Sequence, residues 1–140
     1  MYRIAVLTSS RAQEAFLAEQ ISRFCAEHCL FPKMDCYHDQ ESFFEAARNE
    51  LLTNAVIALP GVDGLNAVEH LRALCPQTRI IWCSDLNFSL HAFRLRADYF
   101  LLEPMTEAAL RQGFRIWLDG KNQAEQHRSD RNKHNKENGL

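Results

Sequence analysis

Five short apolar runs, each followed by a stretch whose apolar residues recur at helical spacing, constrain this chain more than any other feature. Arg3–Leu7, Phe31–Tyr37, Ala55–Leu59, Arg79–Cys83 and Tyr99–Leu102 have the length of strands. In Ile4–Leu7, Ala55–Leu59 and Ile80–Cys83 the apolar residues are consecutive, the pattern of strands covered on both faces. Pro32 confines the second run to an edge or a strand start. Phe16, Leu17, Ile21, Phe24, Cys25 and His28 line a predicted helix over Arg11–His28, with Ser10 and Gln13 as a capping box. Asp39 is the expected cap of a short helix carrying Phe43, Phe44, Ala46 and Ala47. Leu65, Val68, Leu71 and Cys75 line a third helix, which Pro76 stops. Before it, Pro60-Gly61-Val62-Asp63-Gly64 breaks the chain, and Asp63 is the expected cap. Phe88–Leu95 fits a fourth helix. Leu110, Phe114 and Trp117 line a fifth, with Thr106 as its cap. Strands that alternate with helices in this way predict an α/β fold with a parallel sheet covered on both sides.

The chain is long enough for such a sheet. Its 140 residues suit one domain, and 46% of them are apolar. The longest apolar runs are far too short to span a bilayer, and Arg3 is followed by no long apolar core of a secretory signal. A cytoplasmic location is therefore expected, with no membrane contact. The formal net charge of −2 argues against a globally basic surface for nucleic acid. An odd set of five cysteines (Cys25, Cys29, Cys36, Cys75 and Cys83) predicts reduced, mostly buried thiols; their irregular spacing argues against a metal site. From Asp119 to Leu140 only Ala124 and Leu140 are apolar, so 119–140 is expected to be a disordered polar tail and 1–118 the folded domain.

Particular segments narrow the fold. Leu59-Pro60-Gly61-Val62-Asp63-Gly64-Leu65 resembles the M-P-G-M-D-G-L segment that follows the third strand of response-regulator receiver domains. Ile80-Ile81-Trp82-Cys83-Ser84 is similar to their fourth strand. Phe88-Ser89-Leu90-His91-Ala92-Phe93 with Ala97 resembles the Y-A-L-x-A-F-x-x-x-A helix of receivers that precede LytTR-type DNA-binding domains. Phe100-Leu101-Leu102-Glu103-Pro104 is similar to their Y-L-L-K-P. The resemblance spans about residues 3 to 118. It implies a CheY-like, flavodoxin-like, doubly wound sheet of five strands in the order 2-1-3-4-5 with five helices.

The resemblance also implies a chemistry that these residues cannot perform. A working receiver moves a phosphoryl group from a histidine kinase to its own Asp. That transfer needs a carboxylate at the end of strand three, an acidic pair after strand one to hold Mg²⁺, a hydroxyl at the end of strand four and a Lys before the Pro. Here the acidic pair corresponds to Thr8 and Ser9. The phosphoacceptor position falls at Val56, or at Ala58 or Leu59 if the loop is shortened. Cys83, with Ser84 beside it, stands at the hydroxyl position, and Glu103 replaces the Lys with the opposite charge. The expectation is a degenerate pocket with no phosphoacceptor, no catalytic residue, no cofactor and no metal. Asp85, directly after strand four, is expected to be a solvated loop acid.

What remains is a surface. The family uses helix four, strand five and helix five for dimerisation and output, and Phe100 corresponds to its switch aromatic. Phe88, Phe93, Leu95, Phe100 and Trp117 are the candidate interaction residues. The expected function is a pseudo-receiver, not an enzyme, that works by contact with a protein partner or a second copy. Direct DNA binding is not expected. An anion-binding role for Thr8-Ser9-Ser10-Arg11, or phosphorylation at an unusual Asp, are the alternatives.

Overall fold

The computed structural model describes residues 3–50 and 52–120. Its elements follow the predicted alternation: β1 (Arg3–Thr8), α1 (Arg11–Glu27), β2 (Lys33–Tyr37), α2 (Gln40–Asn49), β3 (Asn54–Ala58), α3 (Gly61–Leu74), β4 (Arg79–Ser84), α4 (Ser89–Arg94), β5 (Tyr99–Leu102) and a last helix, α5, over 107–120. All four strand pairings are parallel, in the order β2-β1-β3-β4-β5. This is the doubly wound sheet of the 2-1-3-4-5 type. Pro32 lies just outside β2, which is an edge strand, as its missing N–H requires.

Alternation along the central strands divides the core into two layers. Ile4, Val6, Val56, Ala58, Ile81 and Cys83 point to the side covered by α1 and α5, where they meet Leu17, Ile21, Phe24, Leu110 and Phe114. Ala5, Leu7, Ala55, Ile57, Ile80 and Trp82 point to the other side, against Phe43, Phe44, Ala67, Val68 and Leu71. Each fully buried Leu- or Ile-sized chain adds roughly 1.5–3 kcal/mol. The consecutive apolar runs are therefore consecutive because both sides of the sheet are dry.

Helix starts differ from the sequence reading at two places. Ser10, Asp39 and Thr106 cap α1, α2 and α5 through bonds to the backbone N–H groups of Gln13, Ser42 and Ala109, but the Ser10–Gln13 capping box is only half made: the Ser10 N–H goes to the Thr8 hydroxyl and the Gln13 carboxamide to Thr8 and Glu103. But α3 begins at Gly61, not at Leu65, and the expected turn residues form its first turn. Asp63 does not cap it. The carboxylate of Asp85, directly after β4, accepts the Gly61 N–H at 2.8 Å, so Asp85, an exposed loop acid as expected, also caps α3. The early start rests on two glycines. Gly61 has φ of +56°, which a side chain would strain. A Cβ on Gly64 would lie 2.6 Å from the Leu59 carbonyl oxygen and 3.2 Å from Trp82 Nε1.

The cysteines split by position. Cys25 and Cys83 are buried, Cys36 and Cys75 half-buried, and Cys29 is exposed, so the expectation of buried thiols fails at Cys29. Of the segment read as a tail, Asp119 and Gly120 belong to α5; 121–140 lie outside the described residues.

Candidate functional site

In a sheet of this topology, ligands meet the chain at the carboxyl ends of the strands, near the point where the winding reverses. Here β1 and β3 lie side by side at that reversal. The register sets the residues at that rim. Thr8 pairs with Ala58, and Ala58 with Cys83, so these three stand level across the sheet. Val56 lies two residues deeper, paired with Val6 and Ile81 and wholly buried. Leu59 is packed in the opposite core layer. Of the three candidates for the end of strand three, Ala58 is the one that occupies the rim with Thr8 and Cys83.

Polar groups at this rim satisfy one another. The Thr8 hydroxyl, fully buried, donates to Gln13 Oε1 at 3.0 Å and accepts the Ser10 N–H at 3.3 Å. Gln13 Nε2 donates to Glu103 Oε1, also at 3.0 Å. The carboxamide orientation follows from its partners, because Glu103 is a pure acceptor and must face the NH₂. The result is a chain Thr8–Gln13–Glu103 that ties β1 to α1 and to the turn after β5. Glu103 and Ser84 are joined through the backbone, Glu103 N–H to Ser84 carbonyl at 2.8 Å. The Ser84 hydroxyl accepts the Leu86 N–H at 3.2 Å. Ser9 is exposed and takes no part in the chain Thr8–Gln13–Glu103.

The remaining carboxylates close by are engaged as well. Asp85 holds the first N–H of α3, and that bond keeps its carboxyl below the usual carboxylate range. Glu14 lies 3.1 Å from His38 Nε2. Among the described residues no cluster of three or more His, Cys, Asp or Glu side chains could hold a metal. Cys83 is wholly buried, and burial, with a smaller push from the Glu103 charge, raises its thiol to about 12. A thiol with so little thiolate is a packing group and not a nucleophile.

For a hard cation the rim offers Glu103 and the capping Asp85, and no metal-holding cluster among the described residues. For an anion, the buried Thr8 proton is spent on Gln13, while the Ser10 hydroxyl only accepts the Gln13 N–H and Ser9 and Arg11 are exposed. The sequence reading singled out Thr8, Ser9, Ala58, Cys83, Ser84 and Glu103 but took Gln13 only as a cap partner. Gln13 is the residue that links them. No local pattern marks this, because Gln13 and Glu103 are 90 positions apart.

The proposed interaction face is also redrawn. Phe93 is 81% exposed. Phe88, Leu95 and Phe100 are partly buried against the core, Phe88 stacked on Trp82 and Phe100 edge-on to it. Trp117 is a core residue on the α1–α5 side and leaves the list, since its large ring fills the layer between α5 and the sheet. Leu90 and Leu102, exposed by 59% and 49%, join Phe93 on α4 and β5. Among the described residues no helix is long and apolar enough to cross a membrane.

No family model and no curated protein matches the sequence. Solved structures do. A CheY-like response regulator receiver domain protein from Methanospirillum hungatei shares 16% identity at a TM-score of 0.69, covering 89% of this chain and 98% of that one. A CheY-like receiver domain from Methylobacillus flagellatus shares 20% identity at 0.62, covering 79% and 92%. The response regulator TrrA from Thermotoga maritima, solved with Mg²⁺ and BeF, shares 17% at 0.65, covering 82% and 97%.

Proposed function

We propose that this chain, which has the CheY-like receiver fold, is a regulatory domain of the two-component kind that acts by protein contact without accepting a phosphoryl group. The observation that carries this is the rim itself. Thr8, Ala58 and Cys83 stand level where a receiver needs an acidic residue, a phosphoacceptor and a hydroxyl, and Glu103 stands where it needs a cation. A phosphoryl group there would meet the Glu103 carboxylate, and Thr8 and Ser9 in place of an acidic pair that could hold Mg²⁺. Glu103 is exposed at the rim and finds a donor in Gln13, so the reversed charge is accommodated there without a burial cost.

The anion-binding alternative loses Thr8, whose proton is committed to Gln13, and keeps Ser9, Ser10 and Arg11 without a glycine that would let the backbone cradle an anion. Phosphorylation at Asp85 would break the cap of α3. Contact then falls to the α4–β5 surface, where Leu90, Phe93 and Leu102 are exposed, and to one protein partner or a second copy of this chain bound there. With the rim held by neutral and anionic groups, no phosphoryl charge is present to bias Phe100 between two positions, so one conformation is expected.

The test is incubation of the intact protein with acetyl phosphate and Mg²⁺, followed by intact mass. The expected result is an unmodified chain whose amide spectrum is also unchanged by Mg²⁺ with beryllofluoride. A Mg²⁺-dependent phosphoryl adduct at one site would overturn the reading.

A further inference from the structure

At the foot of the sheet, where the strands start, one side of the core is left partly open. Between the ends of α1 and α5 and the start of β1 lies a half-open cleft lined almost wholly by apolar groups, among them Ile4, Phe24, Leu30, Phe114 and Leu118. The free space in it is about 30 Å³. A cavity that takes benzene measures about 150 Å³. The cleft is therefore too shallow to swallow a ligand. It presents an apolar floor, which a flat apolar group lying over it would keep dry.

We propose that this group is the ring of Tyr2, so that the cleft is a docking site for the segment of this chain that enters β1. Met1 and Tyr2 lie outside the described residues, and three observations on their neighbours select Tyr2. The first is parity. Side chains alternate between the two faces of a strand. Ile4 and Val6 face the α1–α5 layer, whereas Arg3 turns to the α2 side and meets Asp35. One step before Arg3, a side chain continuing the strand falls on the side of Ile4. The second is the tether. The Arg3 N–H donates to Thr53 Oγ1 at 2.9 Å, and the Arg3 carbonyl accepts the Thr53 hydroxyl at 2.8 Å, so β1 is fixed at its first residue. Two strand steps keep the Tyr2 Cα within roughly 7 Å of that of Ile4, which lines the cleft. A ring held so close gives up little freedom on docking, while a separate molecule gives up much more. The third is chemistry. Tyrosine joins an apolar body to a polar tip, which suits a site that is dry at its floor and wet at its mouth. Beyond Gly120 the apolar residues are Ala124 and Leu140, and either would have to close a longer loop to reach the same place. Occupied by Tyr2, the cleft is withheld from other partners.

The chain contains three tyrosines, so selective labelling reads the site directly. In the full chain with ¹³C-labelled tyrosine, the Tyr2 ring should show NOEs to the side chains of Phe114 and Leu118. Tyr2→Phe assigns these peaks by removing them, since its ring carries no label. In thermal unfolding Tyr2→Phe should keep the wild-type melting temperature, because the hydroxyl stays in water. Tyr2→Ser should lower it by on the order of 5 °C; if that variant does not fold, the NOEs decide alone. A labelled Tyr2 ring with no NOE to Phe114 or Leu118 would overturn the proposal, as would equal melting temperatures in all three proteins. Two other occupants would also overturn it. Cross-peaks from Ala124 or Leu140 to the cleft would name the C-terminal segment, and a dimer in sedimentation equilibrium that Leu118→Glu dissociates would name a second copy.

Discussion

At the scale of single residues, environment decides which chemistry survives. Cys83 stands level with Thr8 and Ala58, yet burial holds its thiol near 12. Its folded pKa lies above that of an unfolded thiol, about 8.5. The stability this residue contributes is therefore fully present below about pH 8.5 and falls as the pH rises toward 12. Cys29 is exposed at the end of α1. An alkylation time course on the native protein, read by peptide mapping, should label Cys29 first and leave Cys25 and Cys83 untouched until denaturant is added. Equal rates at Cys29 and Cys83 would contradict the buried rim. Gln13 shows the complementary case, a neutral side chain that takes its importance from two partners distant in sequence.

At the scale of elements, two side chains tie helix ends to neighbouring segments. Asp85 caps α3 from the end of β4, and its carboxyl titrates below the usual range because the Gly61 N–H prefers the anion. A depressed folded pKa stabilises above the unfolded value, about 3.9, and the contribution is lost as the pH falls through the folded value. Asp85→Ala should therefore lower the melting temperature at pH 7, with the gap to wild type closing in strong acid. A gap that is the same at both pH values would show that the carboxylate charge is not the cause. Arg72 does the corresponding work at the other end of α3. It is 9% exposed, and its guanidinium donates to the carbonyls of Cys75, Pro76 and Thr78 and, across a gap in sequence, of Leu95 and Arg96. Leu95 caps the end of α4 and Arg96 follows it. A Lys has no fork to reach five acceptors. Arg72→Lys should cost on the order of 3 kcal/mol in urea unfolding, and amide exchange should speed up in α4 as well as α3. Exchange confined to α3 would mean that the two helices are not coupled by this residue.

At the scale of the whole molecule, the sheet separates a closed rim from an open flank. The exposed apolar residues of α4 and β5 are surplus to the core, whereas Trp117 is part of it. Urea unfolding should separate the two: Phe93→Asp should change stability by no more than about 0.5 kcal/mol, while Trp117→Ala should cost about 3–5 kcal/mol. Comparable losses in the two variants would mean that Phe93 is covered in solution. The proposed signalling role needs this asymmetry. An apolar side chain that adds nothing to folding is available to a partner.

The sequence by itself determined the order and kind of the elements, because strand runs of consecutive apolar residues and helices of periodic ones are local consequences of which surfaces must be dry. It also carried the rim residues Thr8, Cys83 and Glu103, which lie at or directly after the ends of recognisable strands. The tertiary structure decided which of Val56, Ala58 and Leu59 reaches the rim, because strand register depends on pairing with β1 and β4 and not on residues within β3. It moved the cap of α3 from Asp63 to Asp85, since the nearer carboxylate lies inside the helix's first turn while the farther one is brought to the helix start by the parallel sheet. It put Trp117 inside and Leu90 and Leu102 outside, a distinction that rests on which side of α4, β5 and α5 faces a neighbour. Gln13 and Arg72 were beyond local reading for the same reason: each is defined by groups that only folding brings within hydrogen-bond distance.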